Sequence, residues 1–132
     1  NIELHKLDSV KQVCEISDVL ITTTPSKSPL VEAQWLKENV HINAVGSDTE
    51  GKRELHANVL EQATLLLADS KKQCLEQGEC QYLALPEQYK INEFGQFFAN
   101  QTYHGKGISL ADFTGTAVLD IIIASMVYEK LT

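Results

Sequence analysis

The sequence predicts an α/β fold, a doubly wound parallel sheet with helices on both faces. Three observations predict it. Candidate strands alternate with candidate helices along the 132 residues. Each candidate strand is a short, nearly unbroken apolar run, the pattern of a strand covered on both sides. The segments between strands are long enough for right-handed crossovers, which parallel neighbours require.

The elements follow in order. Ile2-Glu3-Leu4 reads as a strand at the start of the chain. Asp8 to Ile16 reads as a helix: Leu7, Val10, Val13 and Cys14 recur at spacings of three and four, and Ser9 to Gln12 fits a capping box. Asp18 to Thr23 is apolar and β-branched, a strand buried on both faces. Pro25 and Pro29 then break regular structure. Val31 to Leu36 reads as a short helical turn with Trp35 as a core anchor, and Val40 to Val45 as a second strand. Leu55 to Gln62 is helical, Thr64 to Ala68 a third strand. Ser70 caps a helix through Glu76 that Gly78 ends. Ile91 to Asn100 reads as an amphipathic helix with Phe94, Phe97 and Phe98 on one side, a core set. Ile108 to Phe113 is a further strand, and Gly115 opens a final helix to Leu131.

Composition bounds the function. A net charge of -7 excludes a nucleic-acid partner, because no basic stripe exists to neutralise phosphates. The apolar segment Ala117 to Val127 is too short to span a bilayer and carries Asp120, so no membrane partner is expected. Cys14, Cys74 and Cys80 form no CxxC pair, which argues against a disulfide framework or a zinc site and for buried thiols in a reducing compartment, the cytoplasm. The chain starts at Asn1 and almost directly in a strand, so it is expected to be a piece of a longer one.

Open α/β sheets bind ligands outside the carboxyl ends of their strands. Those ends are Thr22 to Ser26, Gly46 to Asp48, Asp69-Ser70 and Asp112 to Gly115. Small hydroxyl residues and glycines dominate three of the four, which lets a backbone approach a flat or phosphorylated ligand; the same residues also serve as ordinary turn chemistry. A dinucleotide site should also show G-x-G-x-x-G after its first strand. Gly105-Lys106-Gly107 precedes a strand, so it reads as a turn, and any pyrophosphate loop is expected upstream of Asn1.

The stretches TTTPSKSPLVEAQWL, VHINAVGSDTEGKREL, LLADSKKQCLEQGE and ISLADFTGTAVLDIIIASMVYEKL occur in the order and spacing of one family. The sequence resembles the carboxyl-terminal two-fifths or so of an ornithine cyclodeaminase/mu-crystallin family member. The resemblance implies a partial Rossmann-like domain over residues 1–115, the carboxyl-terminal half of an NAD(P)-binding domain, with 116–132 a long helix leading back toward a substrate and dimerisation domain. It implies NAD or NADP as cofactor, an amino acid or imine as substrate, and a homodimer. Thr23, Thr24, Pro25 and Ser26 would line the cofactor's adenosine and bridging part. Val45, Gly46, Ser47, Thr114 and Gly115 would lie near the nicotinamide. Asp48 matches the aspartate with acid/base duty, and Lys52 a lysine beside it. Where members often carry Phe-Lys-Ser in the final strand, this chain has Ala111-Asp112-Phe113, so the substrates of lysine-bearing members are not carried over.

The implied reaction needs a carboxylate. Hydride leaves an amine-bearing carbon for the nicotinamide, or returns to an imine, and protons move between nitrogens at each stage. A carboxylate at that face can take and return them. Burial would raise the Asp48 pKa and Lys52 would lower it. An alternative is a mu-crystallin-like protein that binds NADPH and a small ligand without significant catalysis. The remaining candidates read as structural: His41 as a packed strand histidine, His5, His56 and His104 as unrelated to the thiols, Asp120 as a buried carboxylate with a partner, and Glu50, Arg53 and Glu54 as a solvated charge run.

Overall fold

The computed structural model describes residues 3–100 and 105–131. Its elements are α1 (Val10–Ile16), β1 (Val19–Thr22), β2 (Val40–Ala44), α2 (Ala57–Gln62), β3 (Ala63–Ala68), α3 (Lys71–Glu76), β4 (Ile91–Glu93), α4 (Phe94–Asn100), β5 (Ile108–Asp112) and α5 (Ala117–Leu131). Short 3-10 turns occupy Ala33–Trp35, Glu79–Tyr82 and Leu85–Lys90. The strands form one sheet in the order β1-β2-β5-β3-β4, with every pairing parallel.

Alternation along the strands sorts side chains onto two faces. On the first, Leu20, Ile42, Leu66 and Leu110 pack with Cys14 of α1, Val59 and Leu60 of α2 and Cys74 of α3. On the second, Leu67 and Ala111 pack with Phe97 of α4. The steps from β1 out to β4 thus run over the first face, and the return from β4 to β5 runs over the second. That is how right-handed crossovers must distribute when the sheet reverses direction. The predicted α/β class with helices on both faces is the observed one.

Several elements differ from expectation, each for a physical reason. Ile2 lies outside the described residues, and Glu3 and Leu4 lie in no strand. β1 is not covered on both sides: Leu20 and Thr22 are buried while Val19 and Ile21 are 57% and 61% exposed. The stretch read as one helix from Ile91 begins as β4, whose Leu66↔Ile91 and Ala68↔Glu93 pairings outweigh helical periodicity. Leu55 precedes α2 and bridges Val31, so the helix starts two residues later than read. Trp35 is only partly buried against the core. Phe98 is 73% exposed and stacks on Phe94, which stacks in turn on Phe113 with centroids 5.3 Å apart. The capping serine Ser9 accepts from Gln12 N–H, but the Gln12 side chain reaches back to Asp8 N–H. Gly78 follows α3 with φ −83, so no left-handed cap explains it. Its reason is proximity: a Cβ there would sit 2.4 Å from the Asp112 carboxylate.

All three cysteines are buried and free, as expected. Burial pushes the Cys14, Cys74 and Cys80 thiols upward, which keeps them unreactive. His41 sits half-buried between Ser109 Oγ at 2.8 Å and Asn43 Oδ1 at 3.2 Å. No group of metal-ligating side chains converges among the described residues, and His104 lies outside them. No described helix is long and apolar enough to cross a membrane. α5 is exposed along its length with apolar residues on every side, and Asp120, read as buried, is exposed with it.

Candidate functional site

The second face is bare beyond α4, and a cleft of about 510 Å³ opens there at the carboxyl ends of the strands. Ile21, Asn43, Val45, Phe113 and Leu119 give it mostly apolar walls, and Asp48, Asp69, Thr114 and Gly115 supply polar groups. A smaller neighbour of about 170 Å³ shares Ile21 and is lined by Thr22, Thr23, Thr24 and Glu54 among others. Of the residues singled out from sequence, Val45, Asp48, Thr114 and Gly115 line the main cleft, and Thr23 and Thr24 the smaller one. Pro25, Ser26, Gly46, Ser47 and Lys52 line neither.

Asp48 stands on the loop after β2. Gly51, at φ +80, turns the chain back so that Lys52 Nζ donates to Asp48 Oδ1 at 2.6 Å, and Thr49 Oγ1 donates to the same oxygen at 2.9 Å. Lys52, then Thr49, hold the Asp48 carboxyl below the usual carboxylate range. Lys52 therefore outweighs burial, the balance the sequence left open. Both side-chain donors meet Oδ1.

This loop is anchored from beneath. Ser47 is fully buried, and its single hydroxyl hydrogen is shared between the Lys52 carbonyl at 3.0 Å and the Gln77 carbonyl at 3.3 Å, so it is turned away from the cleft. Tyr82 Oη also donates to the Lys52 carbonyl, at 3.0 Å, and the Arg53 guanidinium lies 4.3 Å from the Tyr82 ring centroid. Gly46 packs so closely that a Cβ would fall 2.3 Å from the Thr24 carbonyl oxygen and 2.5 Å from Glu54 Oε2. Gly46→Ala is therefore expected to cost about 1–3 kcal/mol of stability, the usual penalty of overpacking. A thermal melt checks it; an unchanged Tm would show that the loops part freely.

Two acidic residues were given no functional role from sequence. Asp69, after β3, accepts from Thr114 N–H at 3.1 Å and Gly115 N–H at 2.8 Å through Oδ2, and from Ser70 N–H at 2.7 Å through Oδ1. It thereby fixes the loop after β5. The Asp-Ser pair at a strand end was the available signal, since aspartate in that position captures nearby amides. Glu54, read as part of a solvated charge run, is fully buried. Nothing local in sequence marks it, because its partners lie 30 and 8 residues away.

Beneath the loops lie two further buried carboxylates. Burial pushes the Glu79 carboxyl up to about 7, against the Glu54 and Leu55 amides that its oxygens accept. Burial likewise pushes the Asp112 carboxyl up to about 6, although Cys80 N–H donates to its Oδ2 at 2.9 Å; Oδ1 finds no partner.

The comparisons with known proteins agree with this architecture. The ornithine cyclodeaminase/mu-crystallin family matches the chain over residues 1–132. Alanine dehydrogenase of Archaeoglobus fulgidus is 34% identical over 120 residues, covering 86% of this chain and 37% of that protein. An archaeal alanine dehydrogenase dimer with bound NAD superposes with a TM-score of 0.80 at 30% identity, over 94% of this chain and 40% of that one. The iminosuccinate reductase of Paracoccus denitrificans in complex with NAD+ gives 0.83 at 28% identity, over 92% and 39%. The chain thus spans about two-fifths of the length of these proteins. On a match that runs its full length, the chain belongs to the ornithine cyclodeaminase/mu-crystallin family.

Proposed function

We propose that the chain is the carboxyl-terminal half of an NAD(P)-binding Rossmann domain over residues 1–115, with 116–132 leading back toward a substrate and dimerisation domain. In this reading the full-length protein is a cytoplasmic, homodimeric oxidoreductase or cyclodeaminase that uses NAD or NADP on amino acids or cyclic imines. The observation that carries it is the cleft itself: Asp48, Val45, Thr114 and Gly115 converge on one apolar-walled space at the strand ends. The similar proteins are an amino-acid dehydrogenase and an imine reductase solved with NAD or NAD+. The domain reading draws support from α5, because a helix apolar on all sides is one that other protein covers. The half-bare second face under β1 and β2 fits it too.

The residues present fit a nicotinamide. Gly115 has φ +83 with nothing within 4 Å of where its Cβ would stand, so the main chain there leaves open space for a flat ring. Val45, Thr114 and Gly115 would hold that ring, with the Gly46 main chain beside it, and Thr23, Thr24, Pro25 and Ser26 the adjoining part of the cofactor; Ser47, fully buried, would not touch it. When bound, the cofactor supplies hydride transfer. The chain's own residues handle protons: Asp48, kept ionised by Lys52, accepts one at Oδ2 from a substrate nitrogen and returns it. Its negative charge also favours a cationic imine over a neutral one. Ile21, Phe113 and Leu119 give that exchange an apolar wall.

Fluorescence titration with NADH and with NADPH tests the reading. The full-length protein should bind, and the 132-residue chain should bind weakly or not at all, because no pyrophosphate-binding glycine turn follows a strand here. Tight binding by the chain alone would overturn the upstream placement of that turn. Absence of binding by both would overturn the cofactor itself.

A further inference from the structure

The geometry points to Glu54 as a positioning residue: its buried carboxylate clasps the loop after β1 to the loop after β2 and thereby sets where Asp48 stands. Oε1 accepts from Thr24 N–H at 2.6 Å, and Oε2 accepts from Gly46 N–H at 3.0 Å. One carboxylate thus joins the 23–26 stretch to the stretch that leads into Asp48 two residues later. The inference rests on the acid/base role proposed for Asp48.

Three features separate this from ordinary packing. Glu54 is fully buried, and among the described residues it forms no ion pair, so main-chain amides alone compensate its charge. Burying a carboxylate is costly, and a neutral side chain would fill the same space more cheaply. What only a carboxylate supplies is two acceptor oxygens for two donors on different loops. The ladder beneath is irregular at this point. The Thr22 carbonyl accepts from both Val45 N–H at 2.9 Å and Gly46 N–H at 3.1 Å, so sheet pairing alone does not dictate the path beyond Gly46. Finally, Glu54 is itself held. Glu79 accepts from Glu54 N–H at 2.6 Å and Leu55 N–H at 3.2 Å, and the Glu54 carbonyl accepts from Leu30 and Val31 amides at 2.7 and 3.0 Å. The clasp therefore transmits a fixed position from the core to the loop tips.

Glu54→Gln is the test, because it keeps shape but sets an amide NH₂ against one of the two N–H donors. In the full-length protein, kcat should fall about 10–100-fold, the scale of a reacting group displaced by an ångström or less, with substrate KM little changed. Combined with Asp48→Asn, it should add little to the loss caused by Asp48→Asn alone, since both act through one carboxylate. Additive losses, or unchanged kcat, would overturn the positioning role. If Asp48→Asn is itself without effect, the underlying reading of Asp48 fails instead, and the two failures are told apart. Hydrogen exchange gives a readout that needs neither turnover nor a stable variant. Thr24 lies in an exposed loop, yet its amide in the parent protein should exchange about tenfold or more slowly than an unbonded loop amide, as one charge-assisted bond implies. Exchange at the free-loop rate would show that no clasp exists.

Discussion

Asp48→Asn in the full-length protein is expected to lower kcat by about 10²–10⁴-fold, the usual contribution of a positioned acid/base group, while cofactor affinity stays nearly unchanged. Asparagine keeps the oxygen that Lys52 and Thr49 reach, so the loop retains its bonds. It loses the ability to take a proton at neutral pH. Cofactor contacts, by contrast, are proposed mainly for the main chain around Val45 and Gly115, which the substitution does not touch. Steady-state kinetics paired with an NADH titration checks both halves. Equal turnover in variant and parent removes Asp48 from the chemistry. A large loss of cofactor binding instead would mean that the carboxylate orders the loop.

The second large effect concerns stability. Between pH 4.5 and 7 the protein should become less stable as pH rises. In the folded state Glu79 holds its proton up to about 7, whereas its ordinary value is 4.5. Across that window the folded protein binds more protons than the unfolded chain, so raising pH favours unfolding. The difference corresponds to on the order of 3 kcal/mol for Glu79. Asp112, raised from 3.8 to about 6, has the same sign. The Asp112 charge helps to raise Glu79, so their contributions do not simply sum. The contribution is fully present below pH 4 and gone above 7. Thermal melts from pH 4 to 8, on the parent and on Glu79→Gln, measure it. The parent's Tm should fall through the window and the variant's slope should flatten; a parent Tm that is level or rising there would refute the burial-driven shift.

Much of the fold was legible because β3 and β5 are largely apolar runs that a covered parallel sheet tolerates. β4 was hidden: with three residues, it merges into the helical spacing of Ile91, Phe94, Phe97 and Phe98. The half-exposed state of β1 was also hidden, since Val19 and Ile21 look no different in sequence from Leu20. At the site, strand-end logic led to Asp48 and Thr114-Gly115 and the family resemblance added Val45, and these do share a cleft. It did not lead to Glu54 or Asp69 as scaffolding. Their amide partners are distant in sequence, and an acidic residue among charged neighbours reads as solvated until the main chain is seen to surround it.

The carboxylate clasps have a consequence for how such a protein can change. Asp69 and Glu54 grip amides, which every non-proline residue possesses, so the course of each rim loop owes little to the side chains displayed on it. An exposed rim side chain such as that of Val45 is therefore open to replacement without the rim losing its shape. A framework of this kind can change the side chains it shows to a ligand while its loop geometry stays put.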